Sequence, residues 1–349
     1  MCYNRTNVCS KRDKMTTMRD IAKLSKVSVS TVSRVLSGKG RVSAEKRNEI
    51  IKLANQFHYI PNYHAKCMTK TGVITVGLVV PDISNPFFSK ITMGIEAELR
   101  DNALLILMNS FRDIEREKRL SLLLRDNGAR GIIIGNSHVE DDFVFEISKY
   151  IPVVVFDKEY NLPNISTIKL DNVYGAYLAT NHLIEIGCPS VVHFGGFDDL
   201  DVSIQRREGY KKALRKGMQP YVIPTGYDER SGYEKAKKIL PSKKFGGAFC
   251  MNDLVAIGVL KAAKEMGIRV PEDLKIIGFD DTELCEVVTP PLSSIHQPIE
   301  EMGRAAARAL LKMIEGEEST RSYLFSPSLI VRSSTLSIRG DQDAKEEVR

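Results

Sequence analysis

Residues 18–36, MRDIAKLSKVSVSTVSRVL, carry two short amphipathic patterns separated by a three-residue turn. Thr17 can cap a helix that begins at Met18, and Asp20, three residues on, can close a capping box and favour the helix dipole. Ile21, Ala22 and Leu24 are then expected to face inward. Lys26, Val27 and Ser28 form the turn, and Ser28 caps a second helix, VSTVSRVL, which Gly38 ends. Val29, Val32, Val35 and Leu36 recur at helical spacing and are expected against the first helix, leaving Ser30, Thr31, Ser33 and Arg34 on the other face. A third helix, capped by Ser43, places Ile50, Ile51, Leu53, Ala54 and Phe57 on one stripe. Two short capped helices joined by a turn form a helix-turn-helix. Small hydroxyls around one arginine suit a major groove, because short side chains let the backbone approach base edges and arginine bonds guanine through two donors.

Charge is distributed to match. Residues 1–72 hold 15 Lys and Arg against 4 Asp and Glu, a net of +11, while the other 277 residues hold 35 against 40, a net of −5. A solvated basic face would be the bland explanation, but so one-sided a head fits the electrostatic footprint of a phosphate binder.

Beyond Gly72 the texture changes to short β-rich apolar runs alternating with helical stretches: VITVGLVV, a helix from Phe87 to Arg100, ALLILMN, a helix near Glu115 to Asp126, GIIIG and IPVVVFD. After Leu170-Asp171-Asn172 the pattern restarts with SVVHFGG, YVIP, GGAFCMND and LKIIGFDD. Alternation of this kind builds βαβ units on parallel sheets, here two doubly wound lobes. Ligands of such sheets sit at the carboxyl ends of strands, so the cleft between lobes is the expected site.

From Met18 through Met68 the sequence MRDIAKLSKVSVSTVSRVLSGKGRVSAEKRNEI…YIPNYHAKCM resembles the headpiece of the lac/gal repressor family, most closely in VSVSTVSRVL and YIPN. The resemblance extends through PDISNPFF (81–88), VFDK (155–158), QRREGY (205–210), MNDLVAIG (251–258), GFDD (278–281) and IHQP (295–298). It implies a small all-α headpiece followed by an α/β body of two doubly wound parallel-sheet lobes, periplasmic-binding-protein-like. The implied division is a tail at 1–15, disordered or a misplaced start, and a DNA-binding domain at 16–60 with its motif at 18–37. A hinge helix at 61–72, an effector-binding and dimerisation domain at 73–340 and a tail at 341–349 follow.

Carried over by position, Val29 and Ser30 correspond to an operator-reading pair, Thr31 and Ser33 to phosphate or groove contacts, and Arg34 to a guanine contact. Tyr59 counts with the DNA contacts, and Met68 stands where the family wedges an apolar residue, more often Leu, into the minor groove. Phe87 and Phe88 correspond to the aromatic wall of an effector pocket, and Asp157, Arg206, Asn252, Asp280 and Gln297 to its polar contacts. This set suits a sugar, since carboxylates, amides and a guanidinium bond neighbouring hydroxyls while a phenyl ring covers the apolar face. Plain core packing would also explain Phe87 and Phe88, a turn Asp280 and Asp281, and a surface helix charge Arg206. Lys26 replaces a frequent glycine, and Lys158 a frequent arginine.

The implied protein is a repressor that binds double-stranded operator DNA as a homodimer, two heads reading two half-sites, under control of a small carbohydrate effector. A nucleoside or purine, or a phosphorylated protein corepressor reached through Arg304, Arg308 and Lys312, is the alternative. No cofactor and no metal are expected: six cysteines are scattered without a CxxC pair, and His58, His64 and Cys67 lack a fourth ligand. An enzyme is disfavoured, because the first strand runs into Pro81-Asp82 with no GxGxxG, and no GxSxG elbow occurs. An exported binding protein is disfavoured by the basic head and by an opening, MCYNRTNVCSKRDK, without an apolar leader. No apolar run approaches the ~18 residues of a membrane span, and the expected compartment is cytoplasmic.

Overall fold

The chain divides between Gly72 and Val73 into two compact units. The computed structural model describes residues 17–36, 42–57, 73–100, 103–135, 139–160, 162–197, 200–317 and 321–336. The tails, Gly38, His58, Tyr59, His64, Cys67 and Met68 lie outside the described residues.

In the first unit, helix α1 (Met18–Leu24) opens with a closed capping box: Thr17 Oγ1 accepts from the Asp20 amide, and the Asp20 carboxylate accepts from the Thr17 amide at 2.8 Å. Helix α2 (Val29–Leu36) starts at Ser28, whose hydroxyl accepts from the Thr31 amide at 3.2 Å. Helix α3 (Ala44–Gln56) is capped by Ser43. Lys26, in the turn between α1 and α2, has φ 52°, a conformation that costs a residue with a Cβ a little strain. Ile21, Ala22, Val32, Val35, Ile50 and Ala54 form the core of this unit.

Four expected core positions are corrected. Leu24 is 50% exposed, Val29 41%, and Ile51 and Phe57 39% each. At about 100° of rotation per residue, a short helix has room for only two or three fully inward positions. On α1 the inward face holds Ile21 and Ala22 and, just past its end, the C-cap Ser25, fully buried with its hydroxyl donating to the Ile21 carbonyl at 2.7 Å, so Leu24 falls on the flank. Val29 and Ile51 are flank positions of their helices for the same reason, and Phe57 is the C-cap of α3.

The second unit contains two six-stranded sheets. The first lobe begins with β1 (Ile74–Val80), α4 (Pro86–Leu99), β2 (Ala103–Asn109), α5 (Ile114–Asp126), β3 (Gly131–Ile134), α6 (Asp141–Ser148), β4 (Val153–Phe156) and β5 (Ile165–Leu170). The second contains α7 (Asn172–Glu185), β6 (Val191–Gly195), α8 (Asp201–Ala213), β7 (Tyr221–Pro224), α9 (Glu229–Ile239), β8 (Gly247–Cys250), α10 (Asp253–Glu265), β9 (Lys275–Asp280), α11 (Leu284–Val287) and β10 (Ser293–His296). The chain then returns to the first lobe with α12 (Ile299–Glu315) and β11 (Ser322–Phe325) and ends its regular structure with β12 (Ser328–Ile330) in the second. The sheet orders are β11-β5-β4-β3-β1-β2 and β12-β10-β9-β8-β6-β7. All neighbours are parallel except β12, which runs antiparallel to β10.

Strands β3 and β4 are buried along their whole length, as expected of a parallel sheet covered on both faces. Helix α12 closes the first lobe by crossing α4 at two glycines. A Cβ on Gly94 would lie 2.1 Å from the Glu300 carbonyl oxygen, and one on Gly303 2.4 Å from that of Ile91, so only glycine allows this approach. The lobes are joined by three strands of chain, at 170–172, 296–299 and 325–328.

Candidate nucleic-acid face and ligand cleft

On α2, Val32 and Val35 point into the head while Val29, Ser30, Ser33 and Arg34 are exposed together, one contiguous helical face. Thr31 is half-buried at its edge. At the start of the helix the hydroxyls of Ser28, Ser30 and Thr31 are linked, Ser28 Oγ lying 2.7 Å from Ser30 Oγ and 2.8 Å from Thr31 Oγ1. The exposed Val29 belongs to this outward face and not to the core.

In the second unit a cleft opens between the lobes. Pro81, Asn85, Phe87, Phe88 and Arg112 line it from the first lobe; Leu200, Val202, Arg206, Tyr227, Met251, Asn252 and Asp280 line it from the second. It encloses about 460 Å³ of unfilled space, part of it open to solvent. Phe87 and Phe88 enter because Asn85 caps α4, its side chain accepting from the Phe87 amide at 3.0 Å, with Pro86 at the first helical position. Their rings meet edge to face at 5.1 Å, and both residues also belong to a buried apolar cluster that includes residues of both lobes, so wall and core are one.

Arg206 is the centre of the opposite wall. It is 5% exposed, which removes the surface-charge explanation. Its guanidinium lies 3.6 Å above the Phe279 ring, donates from Nε to Asn172 Oδ1 at 2.9 Å and to the Met251 carbonyl, and stands 3.7 Å from Asp280 Oδ1. Asn252 caps α10, accepting from the Val255 amide at 2.9 Å and donating to the Tyr227 carbonyl at 3.0 Å.

Asp157 and Gln297 are not among the lining residues; they stand behind them. Asp157 accepts from Asn172 Nδ2 at 3.2 Å, and Gln297 donates to Asp280 Oδ1 at 2.6 Å. Asn172 thus bridges Asp157 and Arg206 and fixes the plane of the guanidinium. The sequence reading passed over Asn172, Asn85, Arg112 and Tyr227, although it marked Leu170-Asp171-Asn172 as the point where the pattern restarts.

Burial pushes the carboxyls of Asp157 and Asp280 above their ordinary range, against the downward pull of the Arg206 charge. Asp253, buried next to Asp280 and held by Ser294 and Thr282, drives Asp280 up further. Burial likewise lowers Arg206. Asp157, Asp280 and Asp281 have φ of 63°, 119° and 56°, so the carboxylate-bearing turns are held in conformations that store strain. Such a floor, with one guanidinium among carboxyls and amides, can bond paired hydroxyls; the phenyl wall covers an apolar face. Among the described residues no cluster of His, Cys, Asp and Glu is placed to hold a metal ion. Of the three basic residues on α12, Arg308 is tied to Glu98 and Glu301.

A helix-turn-helix unit in one chain with a two-lobed, cleft-bearing α/β unit defines a ligand-responsive regulator of transcription. Residues 17–62 match the model of bacterial regulatory proteins of the lacI family, and residues 180–335 that of the periplasmic binding protein-like domain. The chain is 32% identical to the HTH-type transcriptional regulator DegA of Bacillus subtilis, over 92% of this chain and 98% of that one. It is 33% identical to the ribose operon repressor of Halalkalibacterium halodurans, over 92% and 97%. Among solved structures, a lac repressor dimer bound to operator and the anti-inducer ONPF superposes with TM-score 0.81 at 24% identity, over 93% of this chain and all of the other. A LacI family regulator from Enterococcus faecium with bound ribose gives 0.68 at 33% identity, over 75% and 98%. The chain belongs to the lacI family of bacterial transcriptional regulators. No helix among the described residues is long and apolar enough to cross a membrane.

Proposed function

We propose that this regulator is a repressor whose hold on a double-stranded operator is set by a small carbohydrate in the cleft. The observation that carries the reading is the buried Arg206–Asp280 pair, opening between Phe87 and Phe88 on one side and Asn252 on the other. A buried charged group is a poor stabiliser compared with apolar packing, so the retention of the Arg206 guanidinium among buried carboxyls at the wall of a cleft is best explained by a ligand. The relatives named for ribose, or holding it, supply the ligand class.

In this reading Val29, Ser30 and Arg34 meet base edges, Thr31 and Ser33 meet phosphate or groove, and Tyr59 and Met68 complete the DNA contacts. Phe87, Phe88, Arg206, Asn252 and Asp280 touch the effector, with Asp157 and Gln297 orienting them. The protein acts as a homodimer. Edge strand β2 exposes Leu107, which shares a sheet face with Leu105 packed in the cluster of Phe87 and Ile91, and α4 exposes Met93, apolar positions suited to a second copy. Effector binding shifts one lobe against the other and alters operator affinity.

A thermal-shift screen against sugars, sugar phosphates and nucleosides, followed by an operator gel shift with each hit, tests this. A sugar that raises the melting temperature and changes the gel shift is the expected result. Hits confined to nucleosides, or hits without effect on DNA binding, would overturn it.

A further inference from the structure

Arg112 lines the cleft from the first lobe, and its side chain, 27% exposed against 7% for Arg206, lies nearer to solvent. Phe111 and Arg112 are consecutive non-glycine residues with positive φ, 57° and 62°, separated from the end of β2 by Ser110 alone. This turn throws Phe111 outward, 68% exposed, where the Arg116 guanidinium covers its ring at 5.1 Å, and carries Arg112 into the cleft. There the Arg112 guanidinium lies 4.8 Å from the ring centre of Tyr227, a residue of the opposite lobe, while Asp82 of its own lobe stands 3.5 Å behind it. Both ends of the bridge are anchored. Asp82 accepts from the Ser84 amide and hydroxyl at 3.0 and 2.6 Å, and Tyr227 is buried with its hydroxyl 3.3 Å from Ser203 Oγ. An ion pair, Lys90–Glu283, also joins the lobes, but its glutamate is 74% exposed and the pair is screened accordingly.

We propose that Arg112 is a specificity-determining residue that caps the cleft at the length of one sugar ring, admitting a monosaccharide and turning away longer saccharides. The inference rests on the carbohydrate reading above and deepens it. Deep in the cleft a ligand meets Arg206, Asp280 and the phenyl wall. A second ring, extending outward from the first, would have to displace the guanidinium from Tyr227. Displacement loses a partly desolvated cation–π contact and leaves a strained turn without the contact it serves.

The test is calorimetric titration of the full chain with D-ribose, D-xylose and D-glucose on one side and cellobiose and lactose on the other. Wild type, Arg112→Ala and Arg112→Lys are compared. Wild type is expected to bind at least one monosaccharide and neither disaccharide. Arg112→Ala is expected to bind that monosaccharide about tenfold more weakly and to admit a disaccharide, and Arg112→Lys, which keeps a cation, to restore the exclusion in part. A wild type that takes a disaccharide as tightly as any monosaccharide, or an alanine variant with unchanged selectivity, overturns the proposal.

Hydrogen exchange of the ligand-free chain judges the cap separately. In Arg112→Ala the amides around Tyr227 are expected to exchange faster than in wild type, and equal exchange means that no cap exists. If none of the five sugars binds wild type, the carbohydrate reading falls, and the sugar-length selectivity with it, whatever the exchange shows of the bridge itself.

Discussion

Gln297 donates from Nε2 to Asp280 Oδ1 at 2.6 Å, which ties one of the three inter-lobe connections directly to the carboxyl end of β9. Both residues are buried, and Asp280 holds a φ of 119°. Replacing Gln297 by Leu removes the donor and leaves a buried carboxyl without it. The expected cost is about 1–3 kcal/mol in urea unfolding, with weaker effector binding by calorimetry. An unchanged affinity would show that the bond positions nothing.

Asp280 also predicts a dependence on pH. Burial beside Asp253 raises its folded-state pKa against the pull of Arg206, so between the unfolded value and the raised one this buried carboxyl pair binds more proton in the native state than in the unfolded chain. Stability from this group is therefore complete below the unfolded value of about 4 and declines as pH rises through the folded one. Asp280→Asn has no such proton to lose. Its melting temperature is expected to gain on wild type steadily from pH 4 upward, while it loses the effector response.

Arg34 lies on the exposed face of α2 beside Ser30 and Ser33, away from Val32 and Val35. Arg34→Ala is expected to abolish the specific footprint on operator DNA, a loss of about 1–3 kcal/mol in discrimination at one base pair. The circular-dichroism spectrum should keep its helical signal and melt cooperatively. A retained footprint would remove α2 from the reading head.

His193 provides an acid-side test. Its ring stacks between Tyr210 and Phe249 at 5.3 and 4.6 Å, with Nδ1 3.1 Å from the Phe249 carbonyl oxygen, and burial pushes its pKa down to about 3. The unfolded chain takes up a proton near pH 6.5 that the native state refuses. Stability present above that pH is thus lost as pH falls toward 3. His193→Phe should start less stable at pH 7 through the lost hydrogen bond. Its deficit against wild type should shrink between pH 6.5 and 4 in chemical denaturation.

The head was largely legible in the sequence because local signals decide it: Thr17, Ser28 and Ser43 each cap the helix assigned to them. Periodicity failed at Leu24 and Ile51, where it separates a helix face from the opposite one but not the centre of a face from its flank. In the body, the strands from β1 to β4 and from β6 to β9 match the apolar runs. Short, polar or edge strands such as β5, β11 and β12 carry no such run. Nor does any local pattern reveal that α12 and β11 return to the first lobe, since this is decided by long-range packing at Gly94 and Gly303. The resemblance named the residues of the cleft, while the order in which they touch one another, Asp157 to Asn172 to Arg206, appears only in three dimensions.

That return of the chain also governs how the protein is made. A nascent polypeptide emerging from the ribosome completes its head early, yet the first lobe waits, with the α4 face and the outer edge of β5 uncovered, until α12 and β11 have been synthesised more than a hundred residues later. The lobe translated first is therefore the one finished nearly last, and a truncated product lacking residues beyond 298 would bear an open apolar seam that invites chaperones and proteases.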